Sequence, residues 1–195
     1  MLRRVVLLIA TGLVTLSACQ QRRPATAQPT DTTTRAAAST PAVDQAPQPI
    51  AGRLAALGLT RNSHWRGVNL GDDFATVNDH EPGKPFERDT RHVGYALELK
   101  NLESADVLYE QRGGRVAAIR VELYLNSRQS VGDYERELEL YFTSRYGAPK
   151  PGAGGAVWRG PAGEQVTLND VSRGKDFGLN IKIVPQTNET AASAK

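Results

Sequence analysis

Asp106-Val107-Leu108-Tyr109-Glu110-Gln111-Arg112-Gly113-Gly114-Arg115-Val116-Ala117-Ala118-Ile119-Arg120-Val121-Glu122-Leu123-Tyr124-Leu125 is the stretch on which the fold turns. In its second half Ile119, Val121, Leu123 and Leu125 alternate with Arg120, Glu122 and Tyr124. That period of two belongs to a strand with one face in a core and one in water. Gly113-Gly114 is a two-residue hairpin signal, because the favoured tight turn needs positive φ at both central positions. A straight register across this turn sets Leu108 opposite Ile119 and Tyr109 opposite Ala118, with Tyr109 on the water-facing side.

Upstream, Val93, Tyr95, Leu97 and Leu99 alternate with Gly94, Ala96, Glu98 and Lys100, which predicts a neighbouring strand. Earlier still, Ile50 to Leu59 has room for one or two helical turns. Asp72 is a candidate N-cap for a short helix with Phe74 and Val77 on one face, ended by Pro82. Glu81 to Arg91 is charged, holds two prolines and a glycine, and reads as a loop.

Downstream lies the clearest helix. Ser130 as cap with Asp133 closing a capping box starts it, and Gly147 then Pro149 stop it. Val131, Tyr134, Leu138, Tyr141, Phe142 and Arg145 make its stripe at 3.6-residue spacing, with Glu135, Arg136, Glu137 and Glu139 opposite. Pro151 to Gly155 reads as a flexible connector. Ala156–Gly160, Glu164–Val171 and Phe177–Val184 read as three short strands, the last with Phe177, Leu179, Ile181 and Ile183 inward. The fold class is therefore α+β: an antiparallel sheet with helices on one face. The order helix, three strands, helix, three strands fits a tandem α-β-β-β duplication.

The first residues have another purpose. Arg3 and Arg4 precede an uncharged, mostly apolar run, Val5 to Thr15, too short for a spanning helix, which takes roughly 20 apolar residues. The run closes on Leu16-Ser17-Ala18-Cys19, and Cys19 is the only cysteine. This tetrapeptide resembles the lipobox of bacterial lipoproteins. The resemblance implies removal of residues 1–18, a diacylglyceryl thioether on Cys19, acylation of the new N-terminus and residence in the cell envelope. One acyl chain binds a bilayer only marginally, at about 0.8 kcal/mol per buried methylene, so two or three chains make a lasting anchor. Gln20 in place of an aspartate leans the resemblance towards an outer membrane rather than an inner one. A lone cysteine leaves no intramolecular disulfide, so stability must come from the core.

Residues 19–50 follow as a tether rich in Thr, Ala, Pro and Gln, a composition that cannot offset backbone ordering entropy. As a flexible chain it spans roughly 30 Å root-mean-square. The tail, 186–195, is similar. Between them, 51–185 makes a single domain of about 135 residues, a comfortable size for one core.

Charge bounds the function. Of 24 Lys and Arg, Arg3, Arg4, Arg22, Arg23, Arg35 and Lys195 lie outside 51–185, and of 21 Asp and Glu, so do Asp31, Asp44 and Glu189. The domain is thus formally neutral despite a sequence pI of about 9.1, and no broad basic field draws in nucleic acid.

No catalytic constellation, cofactor motif or metal-ligand spacing is legible. There is no Gly-x-Ser-x-Gly turn for a nucleophile. His64, His80 and His92 include no i,i+4 pair, and no free thiol joins them. An alternative keeps His80 and His92, with Asp79, Glu81, Glu87 and Asp89, as a small-ligand or metal-dependent hydrolytic site in the 80–92 loop. Asp72-Asp73 lacks the alternating ligands of a calcium loop. Gly113-Gly114 between Arg112 and Arg115 could suggest a phosphate cradle, but no helix start follows the glycines, so the turn reading stands.

The water-facing side of the sheet is the remaining candidate, with Tyr109, Arg120, Glu122, Tyr124 and Lys182 as partner-binding residues beside Glu98, Thr167 and Asn169. Tyr, Arg and amide groups suit a wet protein interface. From Asn69 to Val184 the layout resembles small envelope lipoproteins with helices against a sheet, and the tandem-repeat fold of the β-lactamase inhibitor protein. The resemblance rests on the Leu70-Gly71-Asp72 helix start, the Gly-Gly hairpin and the Tyr146-Gly147-Ala148-Pro149 helix end. It implies relatives that bind other proteins. The expectation is a membrane-anchored envelope lipoprotein, not an enzyme, that docks an envelope protein.

Overall fold

In the computed structural model, which describes residues 50–152 and 154–186, eight strands form one antiparallel sheet. They are β1 Glu87–Arg88, β2 His92–Glu98, β3 Ser104–Arg112, β4 Arg115–Leu125, β5 Lys150–Gly152, β6 Gly155–Arg159, β7 Glu164–Asp170 and β8 Phe177–Pro185. Their spatial order is β1-β2-β3-β4-β8-β7-β6-β5. The first four strands run outward from the middle in one direction and the last four in the other, meeting at β4 and β8. The helices are α1 Gly52–Ala56, α2 Val77–His80 and α3 Arg128–Tyr146.

The Gly113-Gly114 turn forms as expected, at φ 62° and 77°. Alternation on β4 also holds: Ile119, Val121, Leu123 and Leu125 are buried, whereas Arg120, Glu122 and Tyr124 are exposed. The register on β3 does not. A bulge between Glu110 and Gln111 admits one extra residue, so Tyr109 pairs with Ile119 and Leu108 with Arg120. A one-residue slip exchanges the faces of a strand. Tyr109 consequently points into the core at 0% exposure and leaves the set of surface candidates.

Leu179, Ile181 and Ile183 of β8 lie at 0% exposure beside β4 and extend the same inner face. Helix α3 packs on β4, β6, β7 and β8 through Val131, Tyr134, Leu138, Tyr141 and Phe142. Burying each such side chain contributes about 1.5–3 kcal/mol. Its start differs from the sequence expectation. Ser127, not Ser130, is the N-cap, accepting from the Ser130 N–H at 3.1 Å. Ser130 is already inside the helix and donates its hydroxyl to buried Glu103. The capping serine precedes Val131, the first apolar residue of the stripe, by four residues. Gly147, at φ 83°, ends the helix as read.

The 50–81 segment completes the core with Leu57, Leu59, Trp65, Val68 and Val77. Ile50, assigned by sequence to the tether, packs against that core. Gln186, assigned to the tail, is held by hydrogen bonds from its backbone N to Gly163 and from its amide to Gly160 and Glu164. The short helix after Gly71 is capped by Asp73, which accepts from the Ala75 N–H at 3.0 Å. Asp72 instead accepts from the Asn69 N–H at 2.7 Å. Pro151 and Gly152 are not a connector but pair with β6 as a strand, which makes four strands after each helical segment rather than three. Cys19 and the lipobox lie outside the described residues.

Candidate functional site

The inner face of the sheet is covered by helix and loop, which bury a few polar and charged groups. Trp65-Arg66-Gly67-Val68 makes a tight turn with Arg66 at φ 46° and Gly67 at φ 86°. Left-handed backbone is costly for arginine. The guanidinium holds it there: Arg66 Nε donates to Glu81 Oε2 at 2.8 Å, and Tyr109 donates its hydroxyl to the other carboxylate oxygen. The Glu81 side chain is fully buried. Burial and that carboxylate push the Tyr109 hydroxyl far above its ordinary range.

A second buried pair sits near the end of α3. The His64 Nδ1 accepts from the Leu70 N–H at 3.2 Å, which leaves the proton of the neutral ring on Nε2. That nitrogen lies 3.8 Å from Glu164 Oε1, beyond hydrogen-bond reach. Burial first, and then Arg145, hold His64 below the usual imidazole range, while Glu164 works against them. Arg145 ties α3 to the loop before His64 through the Thr60 and Ser63 carbonyls.

The six candidates of the 80–92 loop do not converge on one point. His80 stacks over Gly67, Glu81 turns inward to Arg66, and His92 lies between Glu87 (2.6 Å) and Asp89 (3.1 Å). Among the described residues no three His, Cys, Asp or Glu side chains converge as metal ligands would.

The outer face is different. Among the described residues α3 packs on the opposite face, and register brings the outer side chains into rows. Arg120 pairs with Lys182, which pairs with Thr167; one step along, Asp106 pairs with Glu122, then Asn180, then Asn169. A third row holds Ser104, Tyr124 and Gly178. Four of the five sequence candidates, Arg120, Glu122, Tyr124 and Lys182, are therefore neighbours on one open face. Tyr124 donates to Glu122 at 3.0 Å and keeps about half its surface in water. Burial against its neighbours and that carboxylate push its hydroxyl up to about 12. Asp106 is raised above the usual carboxylate range by burial, with Glu122 adding to it and Tyr124 opposing.

Towards the Gly113-Gly114 turn the same face sinks. A depression of about 440 Å³ is lined by Glu110, Arg112, Ala117, Ala118, Arg120, Gln165 and Lys182, among others. Gln165 is not singled out by the sequence, and Arg112 enters there only as part of a phosphate cradle. The bulge that brings them together has no residue signal of its own, since Glu110-Gln111 is an unremarkable pair. Only the two small alanines opposite hinted at it.

Compared with protein-family models, with curated proteins and with solved structures, the chain matches none.

Proposed function

We propose that this chain is a lipid-anchored envelope protein of a bacterium, without catalytic activity of its own, that docks another envelope protein on the open face of its sheet. The observation carrying the docking reading is the row arrangement of Arg120, Lys182, Glu122 and Tyr124 on a face that no helix covers among the described residues. Tyr and Arg are the residue types that anchor protein interfaces. The anchor rests on Leu16-Ser17-Ala18-Cys19. No helix among the described residues is long and apolar enough to cross a membrane. The resemblance to lipoproteins favours the outer membrane.

Strand order supports reading the sheet as a tandem repeat. Each half has a helical segment followed by four strands, and the last strands of the halves, β4 and β8, pair in the middle. A repeat of this kind gives one broad face rather than a cleft, which suits docking better than hydrolysis.

Photo-crosslinkers placed at Tyr124 and at Lys182 in cells should each trap the same protein, whereas one at Leu140, exposed on α3, should not. Equal yields from all three positions would remove the docking reading. Mass spectrometry of the protein purified from membranes should find diacylglyceryl on Cys19 and no residues 1–18; an unmodified thiol would remove the anchor.

A further inference from the structure

We infer that the depression beside the Gly113-Gly114 turn is a socket for a carboxylate of the docked partner, set one strand step from a place for a basic side chain. This rests on the docking reading above and adds the partner's chemistry to it.

The socket is built by the bulge. Between Glu110 and Gln111 the register shifts, and Ala117 and Ala118 supply only methyl groups towards the space. Bulges are over-represented where a sheet re-aims side chains at a functional position. Around the low floor stand three cations and one anion: Arg112, Arg120, Lys182 and Glu110. Glu110 pairs with Arg120 at 2.7 Å. Arg112 and Lys182 have no ion pair or side-chain hydrogen bond among the described residues.

Arg120 and Lys182 are direct cross-strand partners. Like charges in that relation repel, and Glu110 answers only one of them. An incoming anion between them removes the repulsion. An arginine fork fits a carboxylate or a phosphate equally well, so the neighbouring row decides. Two residues along β4 and β3 lie Glu122 and Asp106. At about 3.4 Å of rise per residue they stand roughly 7 Å away. Their charges repel a polyanion such as a nucleic acid or an anionic bilayer. They attract a partner segment with a basic group at that spacing from its acidic one. An extended segment reading acidic, any, basic places its charges at this distance.

The test is an amide NMR titration of the full chain with the blocked peptide Gly-Glu-Ala-Lys-Gly, with Gly-Lys-Ala-Lys-Gly and inorganic phosphate as the other arms. The acidic-basic peptide should shift the amides of Ala117, Ala118, Gln165 and Lys182 saturably. Lys182→Gln and Arg112→Gln should each weaken it about tenfold, an effect equal to roughly 1.4 kcal/mol. Arg136→Gln, on exposed α3, should leave it unchanged. Unlocalised shifts, equal binding of the lysine peptide, tighter binding of phosphate, or no loss in Lys182→Gln would each overturn the socket. Crosslinking from Tyr124 reads the docking reading separately. An adduct without a peptide response sinks the socket and spares docking; a peptide response without an adduct sinks docking and, with it, the assignment of the socket to a docked partner.

Discussion

The two faces of one sheet obey different rules. On the inner face Ile119, Val121, Leu123, Leu179, Ile181 and Ile183 are all but fully buried, and buried Glu81 and Glu103 hold Arg66 and the start of α3. On the outer face charge sits in rows, with Lys182 and Arg112 in no ion pair among the described residues and Tyr124 half in water. A face that existed only to be wetted would have no reason to set like charges side by side. Stability is thus concentrated on the inner surface, and the proposed docking uses the other face of the same strands.

Substitutions can break this contrast, and the largest effect belongs to the inner side. Glu81→Ala leaves Arg66 in left-handed backbone with a largely buried, unpaired charge. It should cost about 3–5 kcal/mol, read as a fall in the urea midpoint. Leu123→Ala opens a cavity under α3 and should cost about 3 kcal/mol by the same measurement. His64 gives a smaller, pH-dependent effect. Its folded pKa is lowered, chiefly by burial and then by Arg145, against the opposing pull of Glu164, Asn69 and Asp72. The unfolded chain takes up a proton near the ordinary value of about 6.5 while the folded one resists it. Stability present above that pH is therefore lost as the pH falls below it. In His64→Gln this part of the pH dependence should vanish from urea midpoints taken at pH 7.5 and 5.5. Smallest of all, Tyr124→Ala and Arg120→Ala on the outer face should change stability by less than about 0.5–1 kcal/mol.

The inner face was legible because alternation needs no neighbour to interpret it. Strand β4, the stripe of α3 and the last strand all stand where apolar spacing puts them. What failed to show was set by long-range geometry. The face of Tyr109 depended on a bulge without a local signature. The true cap, Ser127, was hidden behind another serine three residues later. Strand β5 hid in a Pro-Gly segment whose pairing with β6 is a matter of backbone alone. The outer-face rows were half legible: Arg120, Glu122, Tyr124 and Lys182 follow from alternation, but Arg112 and Gln165 join them only through the fold. The buried partners Glu81 and Glu164 looked like loop and strand-end carboxylates, since nothing local distinguishes a charge that will meet an arginine or histidine tens of residues away.

The separation of stability from recognition is tested most directly by one variant measured twice. Arg120→Glu with Lys182→Glu reverses the charge of the outer row, and in-cell crosslinking from Tyr124 can be scored beside the urea midpoint of the same chain. The account predicts that the Tyr124 adduct disappears while the midpoint moves by less than about 1 kcal/mol. An adduct that persists at full yield, or a midpoint that collapses along with it, would contradict the account.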